Sequence, residues 1–139
     1  MKKFIPIFAG ALLVTLGILV QSAMAQEDIG RLIKQLEEDS DRFSNSATKA
    51  LDKSEYDGTA REDELIRHVR SFEDSIDRLK GGFEKGQDTI ILAKEVQTKA
   101  VGIDKWLKKR SLGDQVSTDW GTVKSILLRL KATGKVKTS

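Results

Sequence analysis

The stretch TAREDELIRHVRSFEDSIDRLKGGF, residues 59–83, decides the fold. Its apolar residues Leu65, Val69, Phe72, Ile76, Leu79 and Phe83 recur at intervals of four and three. That spacing gathers them on one face of an α-helix and scatters them over both faces of a strand. Thr59 stands before the run with Glu62 three residues on, the arrangement of a capping box at a helix start. Gly81, Gly82 and Gly86 then make further helix costly, so a helix is expected over about 59–80.

Comparable seams lie on either side. Upstream, Ile29, Ile33, Leu36, Ser40, Phe43, Ala47 and Ala50 predict a helix over about 27–53. It stops at Ser54–Gly58, where Asp57-Gly58 is a strong turn signal. Downstream, Ala93, Val96, Ala100, Ile103 and Leu107 predict a third helix over about 87–110. Asp88 near its start and Lys108, Lys109 and Arg110 near its end suit the helix dipole. After the loop Ser111–Asp114, Val116, Trp120, Val123, Leu127 and Leu130 predict a fourth helix over about 117–132. Thr133-Gly134 should close it, leaving 135–139 as a flexible basic tail. Four seams of period near 3.5 joined by short connections imply an all-α, antiparallel up-down-up-down four-helix bundle over residues 26–134. A three-helix bundle or a dimer of helical hairpins is the structural alternative. No segment alternates like a strand.

The first 25 residues read as a secretory signal peptide. Lys2 and Lys3 form a basic start, Ile7–Val20 an apolar core of 14 residues, and Ala23-Met24-Ala25 a cleavage site. The apolar core is short for a permanent span, which takes about 20 residues. Export to the periplasm or the exterior is therefore expected. Cleavage would remove both methionines, Met1 and Met24, and the only proline, Pro6. There is no cysteine, so the fold must hold without disulfides.

These losses narrow the chemistry. With one histidine, His68, and no sulfur ligand after Ala25, the chain offers neither the Met or second His of a b-type haem bundle, nor the C-x-x-C-H of a covalent haem, nor a carboxylate-histidine di-iron site. No Ser-His or Cys-His pair stands out, and the segment GGFEKG lacks the spacing of a phosphate loop. His68 is read as an edge residue paired with Glu64 one turn away. The run Glu37, Glu38, Asp39 and Asp41 is read as a solvated helix face rather than a metal site. The core line carries no charge, with Ser40 and Thr89 its only polar members. Arg42, Arg61, Arg67, Arg70, Arg78 and Arg129 fall off the seams. No catalytic residue, cofactor or metal is expected, and the L-T-x-x-Q motif of helical periplasmic chaperones is missing.

Two features point instead to binding. Residues 26–79 carry 15 acidic and 9 basic side chains, whereas residues 80–139 carry 6 acidic and 13 basic. Opposite charge on the two halves suits attraction across the grooves within the bundle, or a basic surface for an anionic partner. In an up-down bundle the first and third loops also share an end. That brings Tyr56, Trp106 and Trp120 together with Lys105, Lys108, Lys109 and Arg110 as a candidate binding surface, or as a plug of rings. The expected function is that of an exported, non-enzymatic protein binding a protein or an anionic component of the cell envelope, or its own kind as a homodimer. The alternatives are a small-ligand site at the Trp106/Trp120 end and peripheral attachment to an anionic membrane. Nucleic acid is not an expected partner.

Overall fold

The computed structural model describes the backbone from Ile5 to Lys137 and the side chains from Ile29 to Thr133. Four helices follow one another: α1 (Ile5–Asp52), α2 (Ala60–Glu84), α3 (Ile90–Lys109) and α4 (Asp114–Lys137). The side chains of the expected signal segment, and the last two residues of the tail, lie outside the described residues. Among the described residues no helix is long and apolar enough to cross a membrane.

The helices form one four-helix bundle. Each packs on its neighbours in sequence, α4 closes back on α1, and α1 and α3, like α2 and α4, stand diagonally opposed. Paired residues fix the direction of each neighbour. Glu37 meets Lys80 and Gly30 meets Phe83, while Arg78 meets Glu95 and Gly82 meets Leu92. As one residue number rises the other falls, so both pairs of helices run antiparallel.

The core is formed by most of the seam residues seen from sequence, with Ala50, Phe83, Ala93 and Leu107 only partly buried and Trp106 and Ile126 added to it. Phe43 and Phe72 are fully buried and flank Trp120, at ring centroid distances of 4.9 and 5.7 Å. Leu36, Leu65, Leu79, Val96, Ile103 and Val123 fill the rest with no exposed surface. A buried Leu or Phe stabilises by about 1.5–3 kcal/mol relative to exposure, which accounts for a bundle that has no crosslink.

Helix ends follow local chemistry. The Thr59 hydroxyl accepts from the Glu62 N–H, and the Glu62 carboxylate reaches back to the Gly58 N–H at 2.7 Å. The box therefore closes one residue earlier than its ideal form. Gly58, Gly86 and Gly113, with φ of 74°, 72° and 99°, make the three connections, each in a region that costs a side-chain-bearing residue dearly.

Five boundaries differ from expectation by three residues or more. Helix α1 begins at Ile5 rather than about 27 and runs past Ala25 without a break, and α3 begins at Ile90 rather than about 87. The end of α2 and both ends of α4 also move. Helix α2 passes through Gly81-Gly82 and ends at Glu84. A Cβ on Gly82 would collide with Leu92 Cδ1, so this glycine admits the α3 side chain rather than ending the helix. Helix α4 begins three residues early, at Asp114, directly after the turn at Gly113. It also continues through Gly134 to Lys137, because one helical glycine costs only about 1 kcal/mol relative to alanine.

Candidate functional site

Of the four neighbouring pairs, α3 and α4 touch least, and an open cleft of about 430 Å³ lies between them. Its floor is apolar, formed by Ala100, Trp120 and Leu127. Two polar struts cross it. Gln97 donates from Nε2 to the Leu127 carbonyl at 2.8 Å, and Trp120 donates from Nε1 to Asp104 at 3.1 Å.

Asp104 is the electrostatic centre of the cleft. Besides Trp120 it meets Lys124 of α4 at 3.1 Å and Lys108 of its own helix at 3.0 Å. Burial pushes its carboxyl up, but the bonds from Lys108, Trp120 and Lys124 outweigh that and hold it at about 2. The acid thus stays ionised and fixes two lysines on the rim. Lys105, also on the lining, has no ion-pair partner among the described residues.

Beyond the rim the two helices turn an unusual pair of ridges outward. On α3 the four-three spacing of Ile91, Lys94, Thr98, Val101, Lys105 and Lys108 forms a second seam, opposite the core seam and exposed throughout. On α4 the matching ridge is Gly121, Lys124, Leu128 and Lys131. Neither ridge carries an acid. Ile91, Val101 and Leu128 are 77%, 47% and 68% exposed, and they are the exposed large hydrophobic residues of the described chain.

The candidate surface read from sequence divides into two parts. Tyr56, Trp106 and Arg110 do meet. Tyr56 stands edge-on to Trp106 at 5.5 Å, and the Arg110 guanidinium lies over the same ring at 5.1 Å. Trp106 is only 2% exposed and donates to the Arg61 carbonyl at 3.0 Å. Trp120 is not in this group. Because α4 starts at Asp114, Trp120 sits nearly two turns inside the helix, between Phe43 and Phe72. Lys105, Trp106, Lys109 and Arg110 line a groove of about 360 Å³ between α2 and α3. Lys105, Lys108 and Trp120 line the α3–α4 cleft instead. Lys105 belongs to both, so α3 is a ridge with a groove on either side.

Other readings also change. His68 packs against α3 rather than pairing with Glu64: a Cβ on Gly102 would lie 2.5 Å from its Nδ1. Gly102 therefore occurs in mid-helix to make room for an imidazole. The interior is not free of charge, since Asp119 is buried with its carboxylate accepting from Gln115 Nε2 at 3.0 Å. Ser40 is buried as expected and Ser75 joins it, each hydroxyl bonded to a backbone carbonyl of its own helix; Thr89 is only half-buried. In the acidic run, Glu37 pairs with Lys80 and Asp39 with Arg42. A different trio, Asp52, Asp57 and Glu62, brings carboxylate oxygens within 4.8 Å of one another, but the Glu62 carboxylate already holds the Gly58 N–H. The arginines Arg42, Arg61, Arg67, Arg70, Arg78 and Arg129 are exposed.

The ion pairs bear on the charge asymmetry. Among the described residues, Glu37–Lys80 and Arg78–Glu95 join the acidic half to the basic half, with their cations on opposite sides. Each half thus lends the other one cation, and the imbalance is unchanged. Lys124 and Lys108 turn to Asp104 within the basic half. Among the described residues, no lysine of α3 or α4 pairs with an acid of α1 or α2. The surplus positive charge of these two helices stays on the surface beside the three exposed apolar side chains.

The chain matches no protein-family model, no curated protein and no solved structure. Val101 and Leu128 are the surface residues that the core seams leave out. Their signal in the sequence was their position, large and apolar on the side of the helix away from the core.

Proposed function

We propose that the chain is an exported, non-enzymatic binding module of the cell envelope that holds a macromolecular partner against its α3–α4 face. The observation that carries this reading is the pairing of exposed Val101 and Leu128, which line an open cleft, with ridges charged only by lysine. Adjacent exposed apolar side chains rimmed by polar groups mark interaction sites, whereas single ones do not, and Val101 and Leu128 line the same cleft. The polar groups of the cleft support binding rather than catalysis. Asp104 is ionised and held by three donors, which leaves it neither protonated to act as an acid nor free to act as a base. Export is supported by the basic, apolar and small-residue pattern of residues 1–25.

The test is affinity capture of the tagged chain from its own cell envelope after mild crosslinking. The control carries Val101→Glu and Leu128→Glu. Both positions are exposed, so the control keeps its fold, unlike changes at Trp106 or Trp120, which would open the core. A component captured by the native chain and lost from the folded control is expected. Equal capture by both forms would reject the α3–α4 face.

A further inference from the structure

Given the binding-module reading, on which this proposal rests, we infer that the α3–α4 cleft takes an amphipathic helix of a partner protein, with acidic residues flanking its apolar stripe. The cleft is concave, with Ala100, Trp120 and Leu127 at its floor between two outward ridges. That floor is already buried and bridged by Gln97 and Asp104, so an occupant is held by the ridge side chains, Val101, Leu128 and the lysines. Their lengthwise order along two antiparallel helices is a linear pattern that one partner helix matches and a lipid surface does not require. From Ile91 to Lys108 the α3 ridge runs about 25 Å, which a partner helix of about five turns covers.

The register of the two helices sets the pattern such a partner must satisfy. Gln97 meets Leu127, and Asp104 meets Trp120 and Lys124. The same antiparallel register brings Lys94 level with Lys131, Thr98 level with Leu128, and Val101 level with Lys124. Lys94 and Lys131 thus stand at one end and Lys105 and Lys108 at the other, with Val101 and Leu128 between them and Lys124, already held by Asp104, level with Val101. A complementary helix has apolar residues at its centre and carboxylates toward both ends. Charge also argues against a second copy as the occupant. Face-to-face packing of two such clefts sets lysine against lysine, and the described outer faces of α1 and α2 expose no large hydrophobic residue to fill one.

The test replaces Leu128 of the full chain with a photoreactive benzophenone amino acid, expressed in the cells that make the protein. Adducts are mapped by mass spectrometry, with Thr48 on the far side of the bundle as the control position. The expected adduct lies in an acid-rich helical segment of another protein. Its yield should fall on the order of tenfold when Lys94→Glu and Lys131→Glu remove the flanking charge. An adduct on lipid, on a second copy, or on a segment indifferent to the lysine reversals would overturn the acidic-helix partner while leaving the face intact. Adducts from Thr48 alone, or none from Leu128, would overturn the face as well.

Discussion

Replacing Asp104 with asparagine isolates the electrostatic centre of the cleft from its packing. An asparagine carbonyl still accepts from Trp120 Nε1, so the change removes charge and keeps shape. The carboxyl lies at about 2 against an ordinary value of 3.8. A difference of just under two units corresponds to a ceiling of about 2.5 kcal/mol. The side chain keeps 25% of its exposure and its partner Lys108 73%. Solvent screening therefore reduces the expected loss for Asp104→Asn to about 1–1.5 kcal/mol at neutral pH. The sign of its pH dependence is fixed. Because the folded state lowers the pKa, the stabilisation is present above about pH 4 and disappears as pH falls through about 2. Urea unfolding of both proteins, followed by circular dichroism across that range, should show two curves that converge on acidification. A gap that stays constant from neutral pH to below the folded pKa would show that the hub is not electrostatic.

Three further changes probe the packing and the exposed face. Gly102→Ala alone drives a methyl into His68 and should destabilise by about 1–2 kcal/mol. In a His68→Ala background the same change should be neutral or should stabilise by up to about 1 kcal/mol, and a urea double-mutant cycle reads that coupling. Phe72→Ala empties a fully buried site beside Trp120. It should cost about 3–5 kcal/mol and shift the tryptophan emission to the red; an unchanged urea midpoint would contradict the packing. Val101→Glu with Leu128→Glu should alter stability by about 0.5 kcal/mol or less while abolishing partner capture, and a large loss of stability would show these residues to be structural.

Much of the architecture is legible in local signals. The four-three seam of α2, the Thr59–Glu62 box and the glycines at 58, 86 and 113 concern neighbouring residues, and the helices and turns follow from them. The features that sequence alone does not reveal depend on residues distant in the chain. Gly82 looks like part of a stop until Leu92 is seen to approach it. His68 looks like a solvent-edge residue until Gly102 is found opposite. Starting α4 at Ser117 rather than Asp114 omits nearly a full helical turn, and that turn decides whether Trp120 caps the bundle end or fills its core. The lysines of the candidate surface are legible as charge, but their division into two grooves depends on which sides of α3 face α2 and α4. Val101 and Leu128 are visible as letters; only the packing shows that nothing covers them.

The central claim is that the α3–α4 face is where this bundle meets its partner. Deuterium uptake of the full chain, measured alone and then with the captured partner at saturation, tests it most directly. Slowed exchange confined to residues 91–108 and 121–131, with α1 and α2 unchanged, is the predicted result. Slowed exchange on the outer faces of α1 and α2, with α3 and α4 unaffected, would contradict it.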